Sequence, residues 1–254
     1  HRTIGEGHQG TRLRDAVRAP DALWAAHVAH KQELLGEIAA RGGPAIDPDS
    51  IVVGFARRAA AYKRSDLVLQ DETALQELFA DHPVAFVFSG KAHPDDRVGK
   101  QIVGHLVAAQ QRYPGRVAFL ENYDMALGRL LTRGCDVWLN NPIRPLEASG
   151  TSGMKAAMNG VLNLSILDGW WPEGCEHGVN GWAIESARPG NDGEDLAALH
   201  AVLRAAVIPA WREPARWRAM MQSSIGMAVE KFSSDRMVNE YFERLYPVPA
   251  GVTG

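Results

Sequence analysis

The sequence predicts an α/β protein with a doubly wound, mostly parallel sheet and a helical tail, and three observations support this prediction. From about residue 50 onward, short apolar segments of strand length alternate with longer segments of helical periodicity. The short segments are almost continuously apolar, which is typical of strands that helices cover on both faces. The last third of the chain contains only helical patterns, in which acidic and basic residues are mixed.

The individual elements follow from this alternation. Six strands are predicted, at 51–56, 84–89, 116–120, 136–140, 161–167 and 181–184. Helices are predicted between them at 66–80, 96–112, 124–133 and 153–159, and after them at 194–208, 213–231 and 234–246. Because ligands bind outside the carboxyl ends of the strands in such a sheet, the loops after the strands are the expected binding loops.

The first 48 residues have a different character. A polar, glycine-containing start precedes one long helix over 20–41, and the linker RGGPAIDPDS follows it. We therefore expect an N-terminal segment with a connector helix over 1–48 and a Rossmann-like domain over 49–254. The start contains GEGHQG, which matches the dinucleotide-binding pattern G-x-G-x-x-G, but no strand precedes it, so we interpret it as a flexible start.

Composition excludes several classes of protein. A formal net charge of −3 argues against a general nucleic-acid or membrane-surface binder, and no segment approaches the roughly 20 apolar residues of a membrane span. Two cysteines are too few for a disulfide framework, so we expect free thiols and a cytoplasmic protein. The HPDD segment at 93–96 is interpreted as a solvated turn, and no metal site is predicted.

The segment EASGTSGMKAAMNG, at 147–160, places glycines and small residues directly before Lys155. Gly150 and Gly153 would let backbone N–H groups approach an anion, and the following helix would add its N-terminal partial charge. Three interpretations of Lys155 stay open from the residues alone. It is a point charge on a phosphate, a lysine that forms a Schiff base, or a surface lysine at a helix start.

The segment FARRAAAYKRSD, at 55–66, follows the first predicted strand and carries four cations, namely Arg57, Arg58, Lys63 and Arg64. Clustered cations at the carboxyl edge of a sheet indicate an anion clamp, and the alternative is a solvated basic loop. Three further features lie at the same edge: Lys91, the LENYD segment that contains Tyr123, and the carboxylate of Glu147, which could accept hydrogen bonds from sugar hydroxyls. Trp170 and Trp171 could stack on a sugar but are more typical of core packing.

These segments resemble one family. EASGTSGMKAAMNG is similar to the pyridoxal-phosphate attachment motif of the α-glucan (glycogen, starch and maltodextrin) phosphorylases, and GFARRAAAYKR is similar to their phosphate-clamp segment. SGKAHPDD and LENYDMAL resemble the next two loops of the family in order and spacing. The resemblance covers roughly residues 50–185 and is strongest to the shorter, bacterial-type branch. It implies the C-terminal Rossmann-like domain of a two-domain GT-B type glycosyltransferase.

The resemblance also implies an activity, phosphorolysis of maltodextrin or glycogen to glucose 1-phosphate, with the phosphate of pyridoxal 5′-phosphate as proton relay. By this resemblance, Lys155 carries the cofactor as a Schiff base, Arg57 contacts its 5′-phosphate, and Tyr123 and Thr151 lie beside it. The resemblance also implies a catalytic role for Lys155, Arg58 and Lys63.

Substrate contacts are implied in the same way. Arg58 and Lys63 would bind the substrate phosphate or the phosphate of glucose 1-phosphate. Glu147, Ser149 and Gly150 would hydrogen-bond the hydroxyl groups of the glucose at the cleavage site. One departure concerns Ala60 and Ala61, which stand where the family often has His-Glu, so any role of those side chains is absent.

The implied partners are an α-1,4-glucan, inorganic phosphate, an N-terminal domain that we expect to be absent from these 254 residues, and a possible second copy of the chain. Two alternatives remain open: a nucleotide-sugar glycosyltransferase such as a glycogen synthase, and a non-catalytic module that binds glucan or anions. The first would need no aldehyde cofactor, and the second would leave Lys155 unmodified.

Overall fold

Six parallel strands form one sheet in a computed structural model that describes residues 19–246. The strands are β1 (Ile51–Ala56), β2 (Val84–Ser89), β3 (Val117–Leu120), β4 (Val137–Asn140), β5 (Leu162–Ile166) and β6 (Gly181–Ile184). Their order across the sheet is β3-β2-β1-β4-β5-β6, and every neighbouring pair is parallel. The predicted doubly wound α/β fold is therefore confirmed, and all six predicted strands are found within one or two residues of their expected bounds.

The helices lie on both faces of this sheet and after it. They are α1 (Pro20–Ala40), α2 (Glu72–Asp81), α3 (Arg97–Arg112), α4 (Met125–Gly134), α5 (Thr151–Met158), α6 (Trp171–Gly174), α7 (Asp192–Val202), α8 (Ile208–Trp211), α9 (Pro214–Phe232) and α10 (Ser234–Arg244). A π-helical turn, Leu203–Val207, joins α7 to α8. None of the helices within residues 19–246 has the length and apolarity that crossing a membrane requires.

Three predicted helices begin at residues that differ by two or more from the expected start. The 66–80 helix is divided into a 3₁₀ turn, Leu67–Leu69, and α2, because the Asp71 side chain caps α2 by accepting from the backbone N–H of Ala74. The 194–208 helix begins at Asp192, capped by Asn191, and its helical path continues through the π turn. The 153–159 helix begins two residues early, which affects the position of Lys155.

The continuous apolar character of the strands reflects burial on both faces. Ile51, Val53 and Phe55 of β1 belong to one core cluster, whereas Val52 and Ala56 belong to the cluster on the opposite face. Both faces are therefore covered, as a parallel sheet requires. The second cluster includes Leu34 and Ile38, so α1 contributes to the core of the sheet. A domain boundary at residue 48 stays a prediction.

The helical tail has two parts of different burial. Helix α9 packs inward through residues such as Met221, Ile225 and Ala228. Helix α10 has no buried residue, and its apolar side chains, among them Val238 and Phe242, are exposed. The apolar stripe of this last helix therefore faces outward in the described part of the chain.

A buried polar network fixes α1 to the sheet. Asp136, which precedes β4, is fully buried and accepts hydrogen bonds from His27 Nε2 (2.8 Å) and the backbone N–H of Val52 (2.7 Å). Lys31 Nζ lies 2.7 Å from Asp136 Oδ2, the oxygen that also accepts from Val52, and donates to the Ser50 carbonyl at 2.6 Å. Burial alone would raise the pKa of Asp136, but Lys31 and His27 outweigh burial and hold that pKa below its ordinary value.

We expect Asp136→Ala to lower the free energy of unfolding by about 3–5 kcal/mol, because it leaves the Lys31 ammonium buried without its partner. Urea denaturation at pH 7 measures this change. Asp21→Ala is the matched control, since Asp21 also has a cationic partner, Arg218 at 2.7 Å, but is exposed; we expect a loss of at most about 1 kcal/mol there.

The pH dependence of the same network has a defined sign. The folded-state pKa of Asp136 is lowered, so its carboxylate contributes fully to the free energy of unfolding above the unfolded-state pKa of about 3.9. That contribution is lost as the pH falls through the folded-state pKa. Equal stability of the Asp136→Ala and Asp21→Ala variants would contradict this account of the network.

Candidate active site at the carboxyl edge of the sheet

One cavity of about 830 Å³ lies at the carboxyl edge of the sheet, where the loops after β1, β3 and β4 meet helices α4 and α5. The chain order of the strands reverses between β1 and β4, which is the position where doubly wound sheets bind ligands. Eight of the nine predicted site residues line this cavity: Arg57, Arg58, Lys63, Tyr123, Glu147, Gly150, Thr151 and Lys155. The ninth, Ser149, is not part of the lining, and its carbonyl accepts the backbone N–H of Trp170 at 2.9 Å.

Glu147 joins the loop after β1 to the loop after β4. Its Oε2 atom accepts hydrogen bonds from Lys63 Nζ at 2.6 Å and from Arg57 Nη1 at 2.8 Å. Arg57 Nη1 also donates to the side-chain oxygen of Asn140, at the end of β4. The Glu147 backbone N–H donates to Asp168 Oδ2 at 2.9 Å, which adds the loop after β5 to the assembly.

These contacts determine the charge of Glu147. Its burial would raise the pKa of the carboxyl group, but the hydrogen bond from Lys63 and the charges of Arg57 and Lys63 have the larger combined effect and lower that pKa. The carboxylate is therefore ionised at neutral pH. Two cations share one anion, so this wall of the cavity keeps a net positive charge.

Glycines let the loops approach closely. Gly169 has φ +59°, and a Cβ atom there would lie 2.3 Å from the Ser149 carbonyl oxygen, so a side chain would push apart the loops after β4 and β5. Gly150 has φ +91° and directly precedes α5. The expectation that Gly153 exposes its N–H to an anion is wrong, since that N–H donates to the Gly150 carbonyl and the residue is buried against Asn163 and Trp170.

Lys155 lies in the second turn of α5, because the helix begins at Thr151; the first-turn position expected from the sequence is wrong. Its side chain is exposed and borders the cavity, while Ala156 and Ala157 beside it are buried in the core. Within residues 19–246, Lys155 has no ion-pair partner. A primary amine is thus available at the cavity surface.

Arg64 differs from the other cations of its loop. The sequence grouped it with an anion clamp, but its side chain is buried and pairs with Asp195 (2.7 Å) and Asp192 (2.8 Å). It also donates to the carbonyls of Asn141 and Pro142, both at 2.9 Å. Arg64 therefore ties the loop after β1 to the loop after β4, and the interpretation of Arg64 as a ligand-binding cation is corrected.

The remaining candidate residues lie outside the lining of the cavity. Lys91 and Glu121 are exposed and do not line the cavity, and Asp96 caps α3 by accepting from the Gly99 N–H at 2.9 Å. No cluster of metal-ligating side chains occurs in the described 19–246 range. Trp170 and Trp171 are buried, with ring centroids 5.1 Å apart, so their interpretation as packing residues is confirmed.

Two cationic residues of the cavity were not singled out from the sequence. Arg129 and Arg133 of α4 both line the cavity. In the segment GRLLTR they are four residues apart, which places both on one face of the helix. This spacing is the signal in the sequence that could have identified them. Tyr123 lies beside the same helix: a Cβ atom at Gly128 would be 2.9 Å from its hydroxyl. Burial raises the pKa of Tyr123 despite the nearby Arg57, so its hydroxyl is protonated at neutral pH.

Fold and cavity together define a doubly wound α/β domain with a cation-lined cavity at the switch point between β1 and β4. Residues 12–173 match the model of a family described as carbohydrate phosphorylase. The chain belongs to this carbohydrate phosphorylase family.

Individual relatives agree with this assignment. The chain is 44% identical to a maltodextrin phosphorylase of Thermococcus litoralis over 90% of its own length and 30% of that protein. It is 40% identical to a glycogen phosphorylase of Aquifex aeolicus, over 95% of this chain and 39% of that protein. A glycogen phosphorylase of Mycobacterium bovis is 46% identical over 80% of this chain and 25% of that protein. The chain thus spans between a quarter and two fifths of the length of these relatives.

We expect Lys63→Met to raise the pKa of Glu147, because the variant removes the hydrogen-bonded cation while leaving the carboxylate buried. A ¹³C NMR titration of the glutamate side-chain carboxyl carbons measures this pKa. Lys91→Met is the matched control, since Lys91 is an exposed lysine of the neighbouring loop, and it should leave the Glu147 titration unchanged. An unchanged pKa in Lys63→Met would show that Lys63 does not set the charge of Glu147.

Proposed function

We propose that this chain is the cofactor- and phosphate-binding part of an α-1,4-glucan phosphorylase, which cleaves maltodextrin or glycogen with phosphate and releases glucose 1-phosphate. The observation that carries this proposal is the exposed amine of Lys155 in the same cavity as Arg57, Arg58 and Lys63. An amine beside clustered cations suits an aldehyde that bears a phosphate. Membership of the carbohydrate phosphorylase family supports the same conclusion.

The residues present fit pyridoxal 5′-phosphate. Lys155 would hold it covalently, Arg57 and Thr151 would bind its 5′-phosphate, and the protonated hydroxyl of Tyr123 would lie beside it. The glycine at position 150 leaves the start of α5 open to a phosphate group. When bound, this cofactor supplies a phosphate group that can exchange a proton with the substrate phosphate.

The chain's own residues would bind and orient the substrates. The Arg58 side chain is exposed and has no ion-pair partner in the described part of the chain, so it is available to an incoming phosphate together with Lys63. In the reaction, a phosphate oxygen bonds to the anomeric carbon as the glycosidic C–O bond breaks, and the leaving oxygen takes a proton from the substrate phosphate. The cationic wall stabilises the negative charge that gathers there.

Glu147 would orient the sugar. Since its pKa is lowered, it is a carboxylate at neutral pH and can accept hydrogen bonds from glucose hydroxyls, beside Ser149 and Gly150. Its Oε2 atom already accepts from Lys63 and Arg57, so the sugar and the phosphate would be held by one connected set of side chains. This connection is the physical basis for aligning the attacking phosphate with the anomeric carbon.

The proposal extends to partners and location. An N-terminal domain of the same protein would cover the open cavity, α-1,4-glucan and phosphate would be the substrates, and a second copy of the chain could form a homodimer. A cytoplasmic location fits the two cysteines, both free thiols in the structure. The nucleotide-sugar glycosyltransferase and the non-catalytic binding module are kept as outcomes of the test below.

Borohydride reduction in the presence of pyridoxal 5′-phosphate tests the proposal. We expect peptide mass mapping to find one pyridoxyl group, on Lys155, at cofactor concentrations that leave the exposed Lys91 and Lys100 unlabelled. Lys155→Arg is the matched control, because it keeps the positive charge and should abolish the specific label. Labelling spread over surface lysines in both proteins would overturn the proposal, and binding of a nucleotide sugar instead would favour the glycosyltransferase alternative.

A further inference from the structure

We propose that the groove between α4 and α5 holds a second anion subsite, in which Arg129 and Arg133 bind a phosphate group, separate from the cationic wall formed by Arg57, Arg58 and Lys63. The ligand class is inorganic phosphate or a phosphate monoester. Nothing in the proposed phosphorylase function assigns these two arginines, and the subsite does not depend on that function.

The cavity continues from the carboxyl edge down between the two helices. Both helices start at that edge, and the lining includes 128, 129, 132 and 133 of α4 and 152, 155 and 159 of the α5 segment. From 152 to 159 the helical rise corresponds to about 10 Å. The part of the cavity that these residues line is therefore a groove between α4 and α5, which are in contact with each other.

The positive charge of this groove has no carboxylate at close hydrogen-bonding distance among the described residues. Arg133 is 7% exposed, and its closest carboxylate in the described residues is that of Glu33, with Nη2 3.5 Å from Oε2. That separation exceeds the usual 2.7–3.2 Å of a hydrogen bond, and the Glu33 side chain is 57% exposed. Arg133 Nε donates to the Arg129 carbonyl at 3.1 Å, while Nη1 has no acceptor within residues 19–246.

The guanidinium of Arg133 is thus held by one long ion pair, to a carboxylate that is itself exposed. Burial and the neighbouring Arg129 both lower the pKa of Arg133, against the opposing charge of Glu33. Arginine nevertheless stays protonated in proteins, so the guanidinium keeps its positive charge. An anion in the groove would give it a closer partner.

The positions of Arg129 and Arg133 suit the binding of a dianion. Arg129 and Arg133 are four residues apart on one helical face, a spacing at which like charges destabilise a helix unless an anion lies between them. The side chain of Arg129 is exposed and has no ion-pair partner in the part of the chain that the structure describes. Two guanidinium forks one turn apart suit the double charge and several acceptor oxygens of a phosphate group.

Apart from the Lys155 amine, the neighbouring polar side chains already have partners. The Thr132 hydroxyl donates to the Gly128 carbonyl at 2.8 Å, and the Asn159 amide donates to the Lys155 carbonyl at 2.7 Å. The two acidic residues of the cavity lining have other contacts: Asp124 caps α4 through the Leu127 N–H at 2.8 Å, and Glu147 is paired with Arg57 and Lys63. Neither neutralises the groove.

A phosphate titration followed through the arginine Nε–H signals of ¹⁵N-labelled protein tests this subsite. Ionic strength is held constant with sodium chloride, so that screening alone cannot move the signals. We expect the Arg129 and Arg133 signals to shift along one saturable curve. Arg133→Met should weaken the binding that Arg129 reports by at least tenfold, as loss of a charged hydrogen-bond donor implies. Arg216→Met, which removes an exposed arginine of α9, should not change it.

A second variant protects the test against misfolding. Arg133 is buried, so if Arg133→Met fails to fold, Arg129→Met removes the exposed member of the pair and should weaken the binding that Arg133 reports. Movement of the Arg57 and Arg58 signals alone would overturn the proposal, as would shifts that chloride reproduces at equal ionic strength. Specific labelling of Lys155 by pyridoxal 5′-phosphate is measured separately, so failure of the subsite and failure of the proposed function are distinguishable.

Discussion

The site depends on one shared carboxylate. Glu147 lies in the loop after β4, yet its Oε2 atom is held by Arg57 and Lys63 from the loop after β1. Without this contact, the cations of the first loop would repel one another in a partly buried cavity, and the second loop would lose its closest tie to the first. The Arg64 bonds to the loop at 141–142 support the same meeting of loops. Gly169 and the hydrogen bond from the Glu147 N–H to Asp168 bring the loop after β5 against the loop after β4.

The sheet makes that meeting possible. β1 and β4 are neighbours, with Val53 opposite Val137 and Gly54 opposite Trp138, so the loops that follow them leave the sheet side by side. Asp136 secures the opposite end of β4 by accepting from the Val52 N–H and by binding His27 and Lys31 of α1. Asp136 thus lies just before the amino end of β4, and Glu147 lies in the loop beyond its carboxyl end. The two carboxylates are embedded in different surroundings, and each is ionised because cations outweigh its burial.

Much of this arrangement could be predicted from the sequence, because its physical causes are local. Strands buried on both faces leave continuous apolar runs, and a parallel sheet gathers the loops after those runs at one edge, so Arg57, Lys63 and Glu147 were expected near one another. Arg64 could not be separated from its neighbours, since its burial depends on Asp192 and Asp195, about 130 residues away in the chain. Arg133 was missed for a related reason: a basic residue on a helix indicates a solvated face, and only the packing of α1 and α4 shows that this one is buried.

The carbohydrate phosphorylase family gives these contacts a chemical context. The reaction proposed above brings phosphates and a sugar together, and such a reaction needs cations that are fixed before the ligands arrive, because mobile side chains would have to be ordered during the reaction. In this chain Arg57 and Lys63 are fixed by their hydrogen bonds to Glu147. The open groove along α4 and α5 adds positive charge beyond what the loop after β1 supplies, and the exposed Lys155 lines the same cavity.

A double-mutant cycle between Arg57 and Glu147 tests the central claim most directly. The free energies of unfolding of Arg57→Met, Glu147→Gln and the double variant would be measured by urea denaturation, with the exposed pair Arg112 and Glu72 as the control cycle. A coupling energy above about 1 kcal/mol for Arg57 and Glu147, and a smaller one for the control pair, is the predicted result. Additivity within about 0.3 kcal/mol would contradict the claim that this shared carboxylate holds the two loops together.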